Sequence, residues 1–189
     1  FILDICKKNN ISPNLYDLYS CFPVAVEMFA NSLDLKELNN ITVTGGMSFA
    51  GGPLNSYVLN STVQMIEMIR KYMNVGIVTG VSGMMTKQSY ALWSKNPLIE
   101  FLHKDVTSQA KEIDVPVELS DLNNGYGLVL GYTVLHSKNS TVKGVLYIED
   151  ENKKRKLITT SDKLIMKSME SEEWVGKKIQ FLNTILVTE

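Results

Sequence analysis

The chain has 189 residues, enough for one large domain or two small ones, and 44% of them are hydrophobic, as in globular proteins with a substantial core. Its formal net charge of -1 excludes a strong overall field that would attract nucleic acid or an anionic membrane surface. No apolar run approaches the ~20 residues of a membrane-spanning helix, so we expect neither a nucleic-acid partner nor membrane association.

The cysteines and histidines are few and far apart. Cys6, Cys21, His103 and His136 form neither a Cys-x-x-Cys pair nor a histidine cluster, so a zinc site and a local Cys–His pair are not expected. The chain also shows no secretory signal. Cysteines in such a context are typical of a reducing cytoplasm, which is the predicted location.

Helix and strand patterns alternate from the start of the chain. Residues 1–8 already have an amphipathic helix pattern without a capping residue before it, which is typical of a piece of a larger protein. Residues 15–20 predict a short strand, and residues 23–31, with proline in the first turn, predict a helix. Residues 41–44, Ile-Thr-Val-Thr, predict a β-branched strand.

The same alternation continues beyond a glycine-rich loop at 45–53. Apolar side chains recur at helical spacing over 58–73 and predict a long helix. Residues 75–79 predict a buried strand that ends in a Gly-Val-Ser-Gly loop at 80–83, and residues 88–93 predict another strand. Strands that alternate with helices predict an α/β layer, which we assign to residues 1–94.

The pattern changes after residues 95–116, a stretch without clear periodicity that carries Pro97 and Pro116 and predicts a linker. Beyond it, period-two strands separated by polar turns predict a β-rich domain over residues 117–189. The predicted strands are 128–136, 142–149, 154–159 and 176–187, and Ser161-Asp162 cap a helix that reaches about residue 169. Several short strands with one helix between them favour a small barrel of the OB type.

Three loops follow predicted strands, at the ends where α/β folds bind their ligands. They are residues 19–23, Tyr-Ser-Cys-Phe-Pro, residues 45–53 and residues 80–87. Glycine pairs at 45–46 and 51–52 allow positive φ angles and let the backbone approach a ligand closely. Each loop taken alone is more often a simple tight turn.

Taken together and in order, the three loops resemble those of the thiolase superfamily. Residues 17–23, Asp-Leu-Tyr-Ser-Cys-Phe-Pro, are similar to the segment where thiolases carry Asn-Glu-Ala-Phe or His-Asp-Cys-Phe. Residues 45–53, Gly-Gly-Met-Ser-Phe-Ala-Gly-Gly-Pro, resemble the family's Gly-Gly-x-x-x-x-Gly-His-Pro loop, and residues 80–83 resemble the loop with Cys-x-Gly-Gly-Gly. Residues 117–189 resemble the additional C-terminal domain of some thiolase-like proteins of the acetyl-CoA acetyltransferase type.

The resemblance implies a fold, a reaction and a partner. The implied fold is α/β: the C-terminal half of a thiolase fold, a mixed sheet with helices, followed by a small β-rich OB-like domain. The implied reaction is acyl transfer on acyl-CoA, with a coenzyme A thioester as substrate, no covalently bound cofactor and no metal. Because thiolases carry their nucleophilic Cys in the N-terminal half, the resemblance also implies such a half, in the same or a separate chain, and a homo-oligomer.

This sequence departs from the family pattern at the positions that move protons. Gly52 stands where the family has its activating His, and Val81 stands where it has its second Cys. Neither side chain exchanges protons, so acid–base catalysis at those positions is lost and we expect this chain alone to be inactive. Tyr19 stands where an Asn or His helps to form the oxyanion hole, which makes Tyr19 a candidate catalytic residue.

Backbone amides of the glycine loops remain available to stabilise a thioester oxygen. The predicted substrate-binding residues are Gly45, Gly46, Gly51, Gly52, Ser82 and Gly83. Cys21 is a second catalytic candidate, because amides at the start of a helix lower the pKa of a cysteine. A small buried Cys is nevertheless the commoner role for such a residue.

Two other functions stay open. The first is a catalytically degenerate protein that binds acyl-CoA or a partner enzyme. The second is nucleic-acid binding through the OB-like domain, suggested by the basic run at 153–156, Lys-Lys-Arg-Lys. The acidic residues at 149–151 largely cancel the charge of that run and few aromatic residues accompany it, so a solvated turn is the favoured interpretation.

Overall fold

The computed structural model describes residues 1–37, 39–97, 99–138 and 140–187. The chain divides into two compact units, Phe1–Val106 and Thr107–Glu189, and the division lies within the predicted linker. Residues 98, 139, 188 and 189 of the predicted linker and second domain lie outside the described residues. Across the part of the chain that is described, no helix has the length and apolar composition that a membrane crossing requires.

The first unit combines helices with a three-stranded sheet. In chain order its elements are α1 (Ile2–Lys8), β1 (Leu15–Asp17), α2 (Pro23–Ser32), α3 (Met47–Ala50), α4 (Tyr57–Tyr72), β2 (Val75–Ser82) and β3 (Met84–Ser94). The strand order is β1-β2-β3, with β1 parallel to β2 and β2 antiparallel to β3. The predicted helices at the start of the chain, at residue 23 and before β2 are confirmed, as is the mixed α/β character.

The central strand β2 is buried on both of its faces. Ile77 packs on one face in a cluster with Leu18 and with Phe29 of α2. Val78 packs on the other face against Met65 of α4. This alternation follows from the two-residue period of a strand, and it places the sheet between α2 and α4.

Helix α4 approaches the sheet closely because of one glycine. The buried residues of α4 recur every four positions and form its sheet-facing side; they are Tyr57, Ser61, Met65 and Ile69. A Cβ atom on Gly76 of β2 would overlap Sδ of Met65, a side chain with no exposed surface. The missing side chain therefore provides the space into which the helix packs.

The predicted strand at 41–44 does not form, and that prediction is wrong. The backbone N–H groups of Val43 and Thr44 each donate to Oδ2 of Asp17 at 3.0 Å. The Ile41 carbonyl accepts from the Leu18 N–H at 3.0 Å. Because a side chain takes up two of the backbone donors, the segment needs no neighbouring strand to satisfy them.

The predicted loop at 80–83 is largely strand. β2 continues to Ser82 and pairs with Met84 of β3 across Gly83, whose φ of 69° permits the tight turn. β3 accordingly begins at Met84, four residues before the predicted start. The third predicted ligand loop is therefore the tip of a β-hairpin.

The second unit contains a closed β-barrel. Its elements are α5 (Thr107–Ile113), β4 (Asn124–Ser137), β5 (Ser140–Asp150), β6 (Arg155–Thr160), α6 (Lys163–Ser171), β7 (Lys178–Leu182) and β8 (Ile185–Val187). The barrel order is β4-β5-β6-β8-β7, closed by antiparallel pairing of β7 with β4, and β6 runs parallel to β8. The strands predicted at 128–136, 142–149 and 154–159 are confirmed as β4, β5 and β6, whereas α5 lies in the stretch predicted as a linker.

The barrel core and the helix cap follow from the sequence pattern. The core side chains with at most 1% exposure are Val129, Leu146, Ile148, Ile158 and Phe181. Asp162 caps α6 as predicted, since its Oδ1 accepts from the backbone N–H groups of Leu164 at 2.8 Å and Ile165 at 3.1 Å. The predicted single strand at 176–187 is divided into β7 and β8 by a turn at Asn183, which has a φ of 58°.

Candidate ligand pocket

A cavity of about 300 Å³ lies in the first unit beside the carboxyl ends of β1 and β2. It is lined by Tyr19, Leu54, Asn55, Tyr57, Val58, Val81, Ser82 and Gly83. Because β1 and β2 are parallel, the chain segments that follow them meet at the same edge of the sheet. The start of α4, with Tyr57 and Val58, completes the lining.

Two tyrosines form one wall of the pocket. The rings of Tyr19 and Tyr57 meet edge to face, with centroids 5.5 Å apart and planes at 84°. The Tyr19 N–H donates to Oγ1 of Thr79 on β2 at 2.8 Å, which fixes its backbone to the sheet. Within the described residues, the Tyr19 hydroxyl has no hydrogen-bond partner, whereas the Tyr57 hydroxyl donates to Oδ1 of Asp17 at 2.9 Å. Tyr19 therefore offers the pocket a polar group, and Tyr57 offers its ring.

The carboxylate of Asp17 is fully buried and accepts six hydrogen bonds. Its Oδ1 accepts from the hydroxyls of Tyr57 at 2.9 Å and Ser61 at 2.6 Å, both on α4. Its Oδ2 accepts from the hydroxyls of Thr42 and Thr44 at 2.9 Å and from two backbone N–H groups of the same segment at 3.0 Å. These donors satisfy both oxygens of a buried carboxylate.

The same surroundings shift the acidity of Tyr57. Burial raises the pKa of Tyr57 above its ordinary value, hydrogen bonds with Thr44 and Ser20 oppose the rise, and the Asp17 carboxylate adds to it. The phenol therefore stays protonated at neutral pH, and it acts as a hydrogen-bond donor rather than as a base.

The glycine-rich loop packs against the segment that follows β1. Three of its glycines have positive φ angles, 87° at Gly45, 82° at Gly46 and 69° at Gly51. Oγ of Ser20 accepts from the Met47 N–H at 2.9 Å, and a Cβ atom on Gly46 would lie 3.1 Å from that oxygen. The first two predicted loops are thus in contact, and the absence of a side chain at Gly46 allows the close approach.

The predicted site residues fall into two groups. Tyr19, Ser82 and Gly83 line the cavity. Cys21, a free and partly exposed thiol at the turn before α2, is not one of the lining residues. The same holds for Gly45, Gly46, Gly51 and Gly52, which shape the neighbouring loop. The roles of all these residues toward a ligand stay predictions.

Five residues of this site had no predicted role toward a ligand, namely Asp17, Leu54, Asn55, Tyr57 and Val58. Asp17 carries a signal in the sequence, because an acidic residue at the end of a short buried strand requires several donors. Asn55 and Tyr57 carry no comparable signal. Their place in the pocket depends on how α4 packs on the sheet, which local patterns do not specify.

The lining residues supply binding groups and no strong nucleophile. None of them is a Cys, His, Asp, Glu or Lys, and Val81 presents an aliphatic side chain to the pocket. Among the described residues, no three His, Cys, Asp or Glu side chains are grouped so as to hold a metal ion. The side chains of the pocket are therefore suited to bind and orient a ligand rather than to attack it.

Comparisons with known proteins show the fold. No protein-family model matches the chain, and no curated protein matches it. Among solved structures, the chain is similar to a monomeric SCP2-thiolase-like protein type 1 from Mycobacterium smegmatis, with a TM-score of 0.84 and 23% sequence identity. The match covers 100% of this chain and 44% of that protein, so the chain spans less than half of its length. The chain has a thiolase-like fold. Since that protein is described as monomeric, it does not support the predicted homo-oligomer.

Proposed function

We propose that this chain is the acyl-CoA-binding, C-terminal half of a thiolase-like acyltransferase, and that an N-terminal half supplies the nucleophilic Cys. The observation that carries the proposal is the convergence of Tyr19, Asn55 and Ser82 on one cavity of a thiolase-like fold. At about 300 Å³ the cavity is at the lower end of small-molecule sites, so it takes the thioester and the adjoining pantetheine rather than a whole coenzyme A.

Different lining residues bind different parts of the ligand. The Tyr19 hydroxyl donates to the thioester carbonyl oxygen, because it is a pocket hydroxyl without a partner among the described residues. Asn55 and Ser82 are exposed and bind the amides of the pantetheine arm. Val58 and Val81 contact the acyl group.

An apolar surface on α4 supports the proposed N-terminal half. Leu59 and Val63 lie four residues apart on one side of the helix and are 68% and 58% exposed. Phe49, in the preceding α3, is 85% exposed. Exposed apolar side chains that are neighbours on a helix, as Leu59 and Val63 are, mark interaction sites. We assign this surface to the N-terminal half, in the same chain or a separate one.

The barrel is proposed to be of the OB type. Its support is the strand order β4-β5-β6-β8-β7, the parallel pairing of β6 with β8, and the position of α6 between β6 and β7. Two of the four basic residues at 153–156 are paired with acidic ones, since Lys154 lies 2.9 Å from a Glu118 oxygen and Arg155 pairs with Glu149. This favours an accessory domain of the acyltransferase over a nucleic-acid module.

A binding experiment tests the proposal. The purified chain is titrated with acetyl-CoA and acetoacetyl-CoA by calorimetry, with free coenzyme A as the ligand that lacks a thioester carbonyl. We expect both thioesters to bind more tightly than coenzyme A, and Tyr19→Phe to weaken thioester binding about two- to tenfold, the usual effect of one hydrogen bond. Tyr126→Phe is the control, because Tyr126 lies on the barrel. No binding by the unmodified chain, or equal affinity in Tyr19→Phe, contradicts the proposal.

A catalytically degenerate acyl-CoA-binding protein is the second candidate. Val81 favours it, because an aliphatic side chain lines the pocket at the position of the family's proton-moving Cys. Thiolysis of acetoacetyl-CoA by the complete assembly, with the N-terminal half present, separates the two functions. Turnover supports the acyltransferase, and binding without turnover supports the degenerate protein.

A further inference from the structure

Asp17 joins three separate parts of the first unit. It ends β1, and its carboxylate accepts from the segment at 42–44 and from Tyr57 and Ser61 of α4. The ion pairs of the described residues do not include Asp17. Burial of a carboxylate is costly even with good donors, and a well-packed apolar residue is often at least as stable. Stability alone therefore gives no reason for an acidic residue at this position.

On the α4 side, Asp17 determines how Tyr57 faces the pocket. The phenol has one proton, and it is donated to Oδ1 of Asp17 at 2.9 Å. Tyr57 is only 1% exposed, so its ring has little freedom to turn away from this bond. The hydroxyl is consequently held on the carboxylate while the ring lines the cavity and packs against Tyr19.

On the loop side, two threonine hydroxyls connect the carboxylate to the glycine-rich loop. Thr42 Oγ1 donates to Asp17 and accepts from the Gly45 N–H at 3.0 Å. Thr44 Oγ1 donates to Asp17 and accepts from the Gly46 N–H at 3.2 Å. Gly46 in turn lies against Ser20, next to the pocket residue Tyr19. The carboxylate therefore acts on both the wall of the pocket and the loop beside it.

We propose that Asp17 is a positioning residue of this pocket, one that fixes the Tyr57 ring in its wall and anchors the glycine-rich loop through Thr42 and Thr44. The inference rests on the proposed function, because it concerns how the same pocket holds an acyl-CoA. Asp17 does not touch the ligand itself, since it is fully buried behind Tyr57 and is not a lining residue. It acts through the groups that it holds.

The variant that tests this is Asp17→Asn. An Asn of the same shape removes the charge and keeps one acceptor oxygen, and its NH2 group takes an acceptor either from the two hydroxyls of α4 or from the two backbone N–H groups of the 42–44 segment. Thr42→Val is the second variant, since it removes one donor to Asp17 and the acceptor of the Gly45 N–H while the carboxylate stays. The matched control is Tyr90→Phe, which breaks the 2.8 Å contact of Tyr90 with the Ser32 hydroxyl, outside the pocket lining.

Two readouts need no ligand. Amide hydrogen exchange at Val43 and Thr44 reports the backbone groups that donate to Asp17, and we expect it to be faster in Asp17→Asn, because a neutral amide oxygen is a weaker acceptor than a carboxylate. The Tyr57 pKa is measured by following tyrosine absorbance as the pH is raised. The same titration of Tyr57→Phe identifies which part of the signal belongs to this phenol. This pKa should fall in Asp17→Asn, because both the charge and the hydrogen bond of Asp17 raise it. Tyr90→Phe should change neither quantity.

The third readout is the affinity for acetyl-CoA. Asp17→Asn should weaken it about tenfold and Thr42→Val by less, whereas Tyr90→Phe should lower thermal stability without changing affinity. A folded Asp17→Asn variant with unchanged exchange, Tyr57 pKa and affinity overturns the proposal. If Asp17→Asn does not fold, Thr42→Val decides, and unchanged affinity together with unchanged Gly45 exchange overturns it. If the unmodified chain does not bind acetyl-CoA, the proposed function fails, while exchange and titration still decide whether Asp17 positions Tyr57 and the loop.

Discussion

Gly127 on β4 lies directly against the backbone of Glu149 on β5: a Cβ atom on this glycine would be 3.2 Å from the Glu149 carbonyl oxygen. The same atom would overlap Cδ1 of Ile148, a fully buried residue of the barrel core. Neither neighbour moves aside easily, because one is strand backbone and the other is packed on all sides. Gly131, on the same strand, has open space where its Cβ would lie.

Because of this difference, an alanine substitution should affect stability differently at Gly127 and at Gly131, although both lie on β4. Gly127→Ala should lower the free energy of unfolding of the second unit by about 1–3 kcal/mol, as overpacked cores do. Gly131→Ala should leave it unchanged or raise it slightly, because alanine reduces the freedom of the unfolded chain. Urea denaturation of both variants measures the difference. Equal stabilities would show that the barrel absorbs a methyl group at Gly127.

Leu54 combines a strained backbone with a place in the pocket. Its φ is 53° and its side chain is 100% exposed. Left-handed backbone costs an ordinary residue about 1–2 kcal/mol, so Leu54→Gly should raise the free energy of unfolding by about 0.5–1 kcal/mol after the entropy of glycine is counted. The same change removes an apolar contact of the pocket and should weaken acetyl-CoA binding. Calorimetry and thermal unfolding measure the two effects.

Met73 provides a control that separates the effect of a glycine substitution on stability from its effect on ligand binding. It has a φ of 58° at the end of α4 and is not a lining residue of the pocket. Met73→Gly should therefore stabilise the chain to a similar degree without a loss of affinity. Equal losses of affinity in both glycine variants would mean that Leu54 acts through the general rigidity of the first unit.

Stability should fall at alkaline pH. Burial raises the pKa values of Cys6, Tyr16 and Tyr57 above their ordinary values of 9.0, 10.0 and 10.0. Above about pH 9 the unfolded chain loses these protons before the folded chain does, so the unfolded state gains stability as pH rises. The stabilisation of the folded state by these three protonated groups is complete below about pH 9 and is lost progressively as the pH rises above it. Unfolding free energies from pH 7 to pH 11 should therefore decrease, and less steeply in Tyr57→Phe.

Cys21 is expected to be dispensable. It lies outside the pocket lining, and the lining residues include no base to activate a thiol. We expect Cys21→Ala to change acetyl-CoA affinity less than twofold, within the range of surface substitutions. We also expect the chain alone not to thiolyse acetoacetyl-CoA. Turnover by the chain alone that disappears in Cys21→Ala would instead make Cys21 the nucleophile.

Local signals in the sequence were sufficient for most helices and strands. Proline at position 23 marks the start of α2, and Asp162 marks the start of α6 through a bond to residues only two and three positions away. Such interactions are complete within a few residues, so a pattern detects them. The strand predicted at 41–44 failed because the backbone there is satisfied by Asp17, 26 positions from Val43.

The pocket was predictable only in part for the same reason. Tyr19 and Ser82 follow strands and belong to loops that the sequence indicates. Asn55 joins them because α4 packs closely on the sheet, and that packing depends on Gly76 and on the bond from Tyr57 to Asp17. The hydrogen bond between Tyr57 and Asp17 joins residues 40 positions apart, and a contact at such a distance produces no periodic pattern in the sequence.

The sequence separation between Asp17 and its donors also governs how the first unit folds. Thr42 lies 25 positions away and Ser61 lies 44 positions away. Until both have arrived, burial of the carboxylate leaves its oxygens unsatisfied, which is strongly unfavourable. β1 therefore joins the sheet only together with the segment at 42–44 and α4, and contacts of such high sequence separation form slowly. Consequently, we expect the first unit to fold in one cooperative step, and a peptide of β1 and α2 alone to hold no stable structure.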